Sequence, residues 1–350
     1  MTPAMSTVTP ITQLKPADTR AEWKQSLANL LRDPDELCDL LHLQGDDRKA
    51  VHDACESFAL RIPRPYLARI KPNDLNDPLL LQALPQAAEL IETPGYVTDP
   101  LEEVEFTPAP GLLHKYQGRV LLVLNGSCAI NCRYCFRRHF PYQEHQIGAE
   151  HWQQIRDYIA ADPSINEVIL SGGDPMTSND RVLAKRCADL AAIEHVQTLR
   201  IHTRLPIVIP SRINEECLSW MRETRLKLVM VIHANHAQEF DESVRDALAS
   251  LANAGVLLLN QSVLLRGVND SVGALEALSR RLLACGVLPY YLHLPDAVQG
   301  TAHFDVSESR ARELRDELQA KVAGYLVPKF VRELPHGESK TVLSEVSGID

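Results

Sequence analysis

The stretch that decides the fold runs from Arg119 to Arg138: RVLLVLN (Arg119–Asn125), followed at once by GSCAINCRYCFRR (Gly126–Arg138). Residues 120–124 are unbroken Val and Leu, the composition of a strand buried on both faces of a parallel sheet. Gly126 ends the run, and Cys128, Cys132 and Cys135 follow at C-x3-C-x2-C spacing on what reads as the loop at the strand's C-terminal end. Such loops build the active sites of parallel β/α folds. Three thiolates in one short loop can hold three irons of a cubane cluster. The next cysteine, Cys187, falls in a predicted helix, so no fourth ligand is near. Electron-transfer clusters use four protein ligands, so this set leaves one iron open to a cofactor or substrate. The competing reading is structural zinc, which wants four Cys or His ligands and has His139 as its candidate fourth. Cys38, Cys55, Cys187, Cys217 and Cys285 lie singly in predicted helices, where free cysteine behaves as a small apolar residue.

Downstream the same texture repeats. Apolar runs occupy Glu167–Ser171, Thr198–Thr203, Lys227–Ile232, Val256–Ser262 and Val287–His293, and their starts at 167, 198, 227, 256 and 287 recur at about 30 residues. An eight-unit β/α barrel of about 250 residues has the same period of about 31 per unit. Helix-like stretches fill the gaps: Asn179–Ile193, Asn214–Arg225, Asp241–Ala254 and Ser271–Cys285. Asn214 and Ser271 sit at N-cap positions, and Gly255 and Gly286 where helices end. Six legible units predict an α/β fold of the partial (β/α)6, TIM-like kind; a doubly wound open sheet shares the local pattern. Residues 111–305 are assigned to this core. Residues 1–110 read as a helical, Pro-punctuated appendage, with Trp23, Leu27, Leu30 and Leu31 at helical spacing and Val51, Cys55 and Phe58 likewise. Residues 306–350 read as a C-terminal helix and a short cofactor-binding segment.

Composition narrows the function. The 350-residue chain carries a formal net charge of -10, against nucleic acid or an anionic membrane as partner. The one dense basic patch, Arg133, Arg137, Arg138 and His139, lies inside the cysteine motif and suits a small anionic ligand. No apolar run reaches the 18 or so residues of a membrane span, and MTPAMSTVTPITQLKP lacks the basic start and apolar core of a secretory signal. A cytoplasmic protein is expected, whose cysteines serve as thiols or metal ligands.

Strand tips supply further candidates. The second strand runs into Ser171-Gly172-Gly173-Asp174-Pro175, where paired glycines let a ligand approach the backbone. His202-Thr203-Arg204, His233 with Asn235, and Asn260-Gln261-Ser262 bring polar groups to the same edge, as a pocket at a barrel mouth requires.

The cysteine spacing, with Tyr134 before the third cysteine, resembles the radical S-adenosylmethionine (radical SAM) superfamily. From about Glu22 to Leu343 the chain resembles one family within it, the lysine 2,3-aminomutases. The likeness rests on GRVLLVLNGSCAINCRYCFRRHFPY, LSGGDP, RIHTRLPIVIPSRI, NQSVLLRGVND, PYYLHLPDAVQGTAHF and GYLVPKFVRELPHGESKT. Within the family it looks most like the short bacterial branch that β-lysylates elongation factor P (EF-P). The resemblance implies an isomerase with three cofactors: a [4Fe–4S] cluster on Cys128, Cys132 and Cys135, S-adenosyl-L-methionine, and pyridoxal 5′-phosphate on Lys340. Ser171, Gly172, Gly173 and Asp174 would hold the methionyl end, with His233 and Gln261 as further cofactor contacts, and Arg119 would hold the pyridoxal phosphate group. For the substrate, L-lysine, the likeness implies Arg137 at the carboxylate and Asp296 and Glu333 at the side-chain ammonium. Glu333 stands where the free-lysine enzymes have aspartate, and His293, a further substrate-side residue, where they have tyrosine. The run Pro335-His336-Gly337-Glu338-Ser339 replaces a glycine run before the lysine. Also implied are an external reductant such as flavodoxin or ferredoxin, and delivery of β-lysine to EF-P by a separate lysyl ligase. Two rivals stand beside this reading: a catabolic lysine 2,3-aminomutase, and a non-catalytic iron–sulfur or zinc module.

Overall fold

The computed structural model describes residues 19–145 and 147–343, so the reading of the N-terminal sixteen residues falls outside it. Among the described residues one nine-stranded sheet keeps its strands in chain order. β1 (Leu112–Tyr116) pairs antiparallel with β2 (Arg119–Asn125). Parallel neighbours follow in sequence: β3 (Glu167–Gly172), β4 (Thr198–Thr203), β5 (Lys227–His233), β6 (Leu257–Val263) and β7 (Leu288–His293). The apolar runs read from the sequence are these strands to within a residue or so. The parallel set does not stop at six, because β8 (Lys329–Arg332) joins β7 in parallel. Only Phe330 and Val331 of its four residues are buried, too short a run to stand out in sequence. β9 (Thr341–Val342) then turns back antiparallel on β8. The result is the open, partial (β/α) barrel anticipated, with one further parallel strand at its C-terminal edge.

Before the sheet come four helices: α1 (Thr19–Ala28), α2 (Pro34–Leu40), α3 (Gly45–Ser57) and the single turn α4 (Arg64–Leu67). α1 is shorter than the spacing of Trp23, Leu27, Leu30 and Leu31 suggests. Leu30 and Leu31 lie past its end, and Leu31 forms a backbone bridge to Ile62. Asp33 starts the next helix by capping Asp35 N, with Pro34 at its first position, so the chain must leave α1 before then.

Helical crossovers link the parallel strands: α5 (Ala149–Ala161), α6 (Asp180–Ala191), the turn α7 (Leu205–Val208) with α8 (Glu215–Glu223), α9 (Glu242–Asn253), α10 (Val272–Ala284) and α11 (Glu308–Gln319). Asn214 and Ser271 cap as anticipated, accepting from Cys217 N and Ala274 N. Gly255 and Gly286 follow their helices at φ +84° and +73°, left-handed values that a Cβ disfavours.

The N-terminal helices share the barrel's core. Trp23, Leu31, Leu37 and Tyr66 belong to the same buried cluster as Leu122, Leu170 and Ile201 of the sheet. Arg212, fully buried, lies with its guanidinium 4.5 Å from the Trp23 ring centre and bonds Asp180 in two places at 2.8 and 3.1 Å. A second cluster, including Leu275, Leu292, Leu314 and Phe330, seats α10 and α11 under β7 and β8. This frame leaves the C-terminal edge of the parallel strands free to form a site.

Candidate active site

A cavity of about 370 Å³ opens at that edge. The residues to which the resemblance assigns a role all line it: the three motif cysteines, Arg119, Arg137, Ser171 to Asp174, His233, Gln261, His293, Asp296, Glu333 and Lys340; of the strand-tip candidates Asn260 does not, nor does His139.

At one end lies the cysteine loop. Asn125, the last residue of β2, turns the chain by accepting from Ser127 N at 2.8 Å, and Cys135 N donates to Cys132 O at 3.2 Å. Burial and the neighbouring sulfurs push the Cys128 thiol well up, and burial with Cys132 pushes Cys135 to about 11. Such thiols ionise once a cation neutralises them, which is the donor chemistry of a metal centre. Among the described residues, the only group of three or more potential ligand atoms mutually within 4.8 Å is Glu102, Glu105 and His336. The three sulfurs are therefore not all within 4.8 Å of one another, where tetrahedral zinc with Zn–S bonds of about 2.3 Å requires roughly 3.8 Å between each pair. His139 is exposed, and its Nε2 lies 3.3 Å from Gln299 O. The donor set fits a cluster and not zinc.

The loop is clamped from the N-terminal segment. Arg133 N and Asn131 N donate to Gln82 O and Arg61 O. Glu89, buried, accepts from both Arg133 and Arg138, and Glu103 takes Arg137 in a two-pronged bond at 2.6 and 2.7 Å. The three arginines of the basic patch are thus ion-paired within the protein, and a small anion at Arg137 would have to share or displace Glu103. Burial alone would raise the Glu89 carboxyl, yet the two guanidiniums hold it below its ordinary range. Glu89 and Glu103 carry no motif and were not among the sequence candidates.

Beside the loop stands the tip of β3. Gly172 adopts φ +119°, and a Cβ there would meet Asn125 O at 2.5 Å, while one on Gly173 would meet Ser127 O at 2.6 Å. These glycines are needed because the β3 tip packs on the backbone of the cysteine loop. Asp174 spends its carboxylate on Thr203 Oγ1, Arg204 N and Met176 N at 2.7–3.0 Å, joining the β3 and β4 tips. It shapes the cavity wall and has little left to offer a ligand, although burial still lifts it to about 6. Ser171 accepts from Arg137 Nη1 at 3.1 Å.

The middle of the cavity is lined by imidazoles. Parallel register sets His233 beside Gln261, and their side chains bond at 2.9 Å. Burial drives His202 well below its usual value and takes His233 and His293 to about 3, so all three are neutral at pH 7. His202 Nε2 and His293 Nε2 are buried without a hydrogen-bond partner among the described residues. Buried polar atoms left open in a cavity are expected where a ligand completes them.

The far end is made by the β8–β9 hairpin. Val331 pairs with Val342 and Arg332 with Thr341, which brings Glu333 opposite Lys340. The lysine ammonium bonds Glu333 Oε2, and Tyr116 OH reaches Oε1 at 2.6 Å. Burial would raise Glu333, but Lys340, Tyr116 and Lys115 more than offset it and hold it at about 2. Glu333 thus pairs with Lys340 here, rather than waiting free beside Asp296 for a substrate ammonium. Among the described residues Asp296 itself makes no side-chain hydrogen bond, and burial with the nearby Glu333 charge raises it to about 7. Arg119 carries no ion pair among the described residues; its guanidinium lies 4.7 Å from the Tyr116 ring centre, its hydrogen-bond donors open to an anion. Tyr290 and Tyr291, stacked at 3.8 Å between centroids, add an aromatic wall beside Lys340.

Residues 116–199, strand β2 to β4 with the cysteine loop between, match the family described as a 4Fe-4S single cluster domain. Among solved structures, a radical SAM methyltransferase from Sphaerobacter thermophilus aligns at 17% identity and a TM-score of 0.45 over 63% of this chain and 68% of that one. The L-lysine 2,3-aminomutase of Escherichia coli (strain K12) is 49% identical over 326 residues, 93% of this chain and 95% of that protein. The L-lysine 2,3-aminomutase of Haemophilus influenzae is 46% identical over 323 residues, 92% of this chain and 96% of that protein. At that identity, over more than nine-tenths of both proteins, the chain belongs to the L-lysine 2,3-aminomutase family of isomerases.

Proposed function

We propose that the protein moves the α-amino group of L-lysine to Cβ, giving β-lysine. One observation carries the reading: the cysteine loop after β2 and the lysine after β8, at opposite ends of the sheet, meet in one cavity with an unpaired arginine and an unpaired carboxyl. Cys128, Cys132 and Cys135 would hold a [4Fe–4S] cluster with one iron left for S-adenosylmethionine, and Lys340 would carry pyridoxal phosphate with Arg119 on its phosphate group. When bound, these cofactors supply a one-electron cleavage that yields an adenosyl radical and a ring that carries the migrating nitrogen.

The chain's own groups bind, orient and exclude water. Arg137 would anchor the lysine carboxylate, with Ser171 fixing its guanidinium; Glu103 now occupies that fork and must share or release it. Asp296 would receive the side-chain ammonium, since a substrate cation supplies the counter-charge it lacks. Lys340 must leave Glu333 to hold its cofactor, and Glu333 would then be free to join Asp296. The neutral His202, His233 and His293, with Gln261, offer uncharged hydrogen-bonding groups around the reacting region without adding charge to it.

Resemblance to the short bacterial branch supports a finer reading, in which β-lysine is passed to a separate ligase that attaches it to elongation factor P. An external flavodoxin or ferredoxin would provide the electron, in the cytoplasm. No helix in the described residues is long and apolar enough to cross a membrane.

The direct test is anaerobic incubation with S-adenosylmethionine, pyridoxal phosphate, a reductant and L-lysine, followed by product analysis. β-Lysine should form in the wild type, which should hold about four irons per chain. Cys128→Ala, Cys132→Ala and Cys135→Ala should lose both cluster and product while Cys187→Ala keeps them. A redox-active cubane in Cys132→Ala would remove the ligand assignment.

A further inference from the structure

Just past the tip of β4, Arg204 is 5% exposed and meets the cysteine loop from behind. Its backbone N–H is fixed by Asp174 Oδ2 at 2.8 Å. From Nη1 it donates to Cys132 Sγ at 2.9 Å and to Tyr134 OH at 2.7 Å. From Nη2 it reaches Gln82 Oε1 at 2.7 Å and Glu239 Oε2 at 2.9 Å, with Tyr66 OH at 3.4 Å. Its Nε is buried and finds no acceptor among the described residues, although the residue lines the cavity. The counter-ion, Glu239, is fully buried and held in place by Asn235 N at 2.7 Å and His236 N at 3.0 Å. A complete guanidinium–carboxylate pair is therefore built against one particular cysteine of the three.

We propose that Arg204 is a positioning residue for Cys132 that raises the reduction potential of the cluster, and that Glu239 opposes it. The inference rests on the cluster assigned above. Adding one electron makes the cluster more negative, and a fixed cation bonded to a ligand sulfur stabilises that state more than the oxidised one. The N–H···S bond acts in the same direction by drawing charge off the sulfur. Glu239, just beyond, works with the opposite sign. Because both charges are buried, solvent screens them poorly and each leaves a measurable imprint. The N-terminal segment enters this device through Gln82 and Tyr66, which hold the far side of the fork.

The opposed signs make the test specific. The proteins to compare are wild type, Arg204→Gln, Arg204→Lys and Glu239→Gln, reconstituted anaerobically and assayed for iron. The cluster midpoint potential is then read by EPR-monitored redox titration, and thermal unfolding reports on the fold. Arg204→Gln should favour the oxidised cluster by about tenfold at fixed potential, a downward shift of about 59 mV for one electron. Glu239→Gln keeps an oxygen for the two backbone amides and should shift the midpoint upward. Arg204→Lys keeps the charge and should stay close to wild type. Loss of packing alone would move both neutral variants the same way or neither. Unmoved midpoints, or shifts of one sign, overturn the inference while leaving the cluster in place. If Arg204→Gln takes up no iron, Glu239→Gln decides alone, and a midpoint at or below wild type overturns the inference. A wild type that assembles no cluster overturns the cluster reading and this inference with it.

Discussion

The two ends of the cavity are built on opposite electrostatic plans. At the cysteine end four guanidiniums have a carboxylate: Arg133 and Arg138 have Glu89, Arg137 has Glu103, and Arg204 has Glu239. At the lysine end charge is left open. Among the described residues neither Arg119 nor Asp296 forms an ion pair, and Lys340 holds Glu333 in a pair that must break before the lysine can carry anything. Apart from the Arg137 fork, which Glu103 must share or release for substrate, the first end reads as a socket completed by the fold itself. The second reads as a site whose balance waits for ligands, with Arg119 in want of a phosphate and Asp296 in want of an ammonium. A protein that must hold a cluster permanently while admitting and releasing a substrate gains from this division, since preorganisation belongs where nothing moves.

The largest expected effect tests the open end. Lys340→Ala should lose the visible absorbance of bound pyridoxal phosphate and all β-lysine formation, while keeping wild-type iron. Borohydride reduction of the wild type should fix the cofactor to a peptide containing Lys340. An adduct on Lys329 or Lys321 would move the site and break the comparison, because Glu333 would then pair with a lysine of no chemical consequence.

The closed end should respond through stability. Glu89→Gln leaves two buried guanidiniums without their anion, and removing one partner of a buried pair costs about 3–5 kcal/mol. Denaturant unfolding should show that loss, together with poorer retention of iron, because Arg133 and Arg138 flank the ligands. A variant as stable as wild type would mean that the clamp is ornamental and that the loop holds its shape through Gln82 and Arg61 backbone bonds alone.

This division also sets how much could be read from sequence. The cysteine loop was legible because its ligands lie within eight residues on one strand end, where spacing alone carries the chemistry. The strands were legible because burial on both faces writes unbroken apolar runs such as RVLLVLN and VLLLNQS. β8 was not, since only two of its four residues are buried. Glu89, Glu103 and Glu239 were invisible because their partners lie 34 to 49 residues away and a lone glutamate has no pattern. Asp174 was legible as a carboxylate at a strand tip, but sequence does not show that Thr203, Arg204 and Met176 bond it. Lys340 came from family resemblance alone, since its meeting with Glu333 depends on β8 and β9 pairing.

The smallest effect sharpens the comparison most, because it carries a sign with pH. Asp296 lies at about 7 in the ligand-free protein, raised by burial and by Glu333. An unfolded aspartate ionises near 3.9, so between about pH 4 and 7 the folded state holds a proton that the unfolded one has lost. Stability from this group therefore falls as pH rises through that window. Asp296→Asn removes the penalty, and should make the ligand-free protein more stable than wild type at pH 8 with little difference at pH 4. Substrate binding has the reverse dependence. The ammonium of lysine needs the ionised form, so wild-type affinity should weaken as pH drops below about 7, while in Asp296→Asn it should be weak and flat across that range. Losing one member of a buried charge pair typically costs about 2–5 kcal/mol, so turnover at limiting lysine should drop at least tenfold. Stability curves and lysine titrations of both proteins from pH 5 to 8 separate the possibilities. Parallel pH profiles for wild type and Asp296→Asn would mean that the open end is tuned by some other group, and Asp296 would lose its place as the lysine receptor.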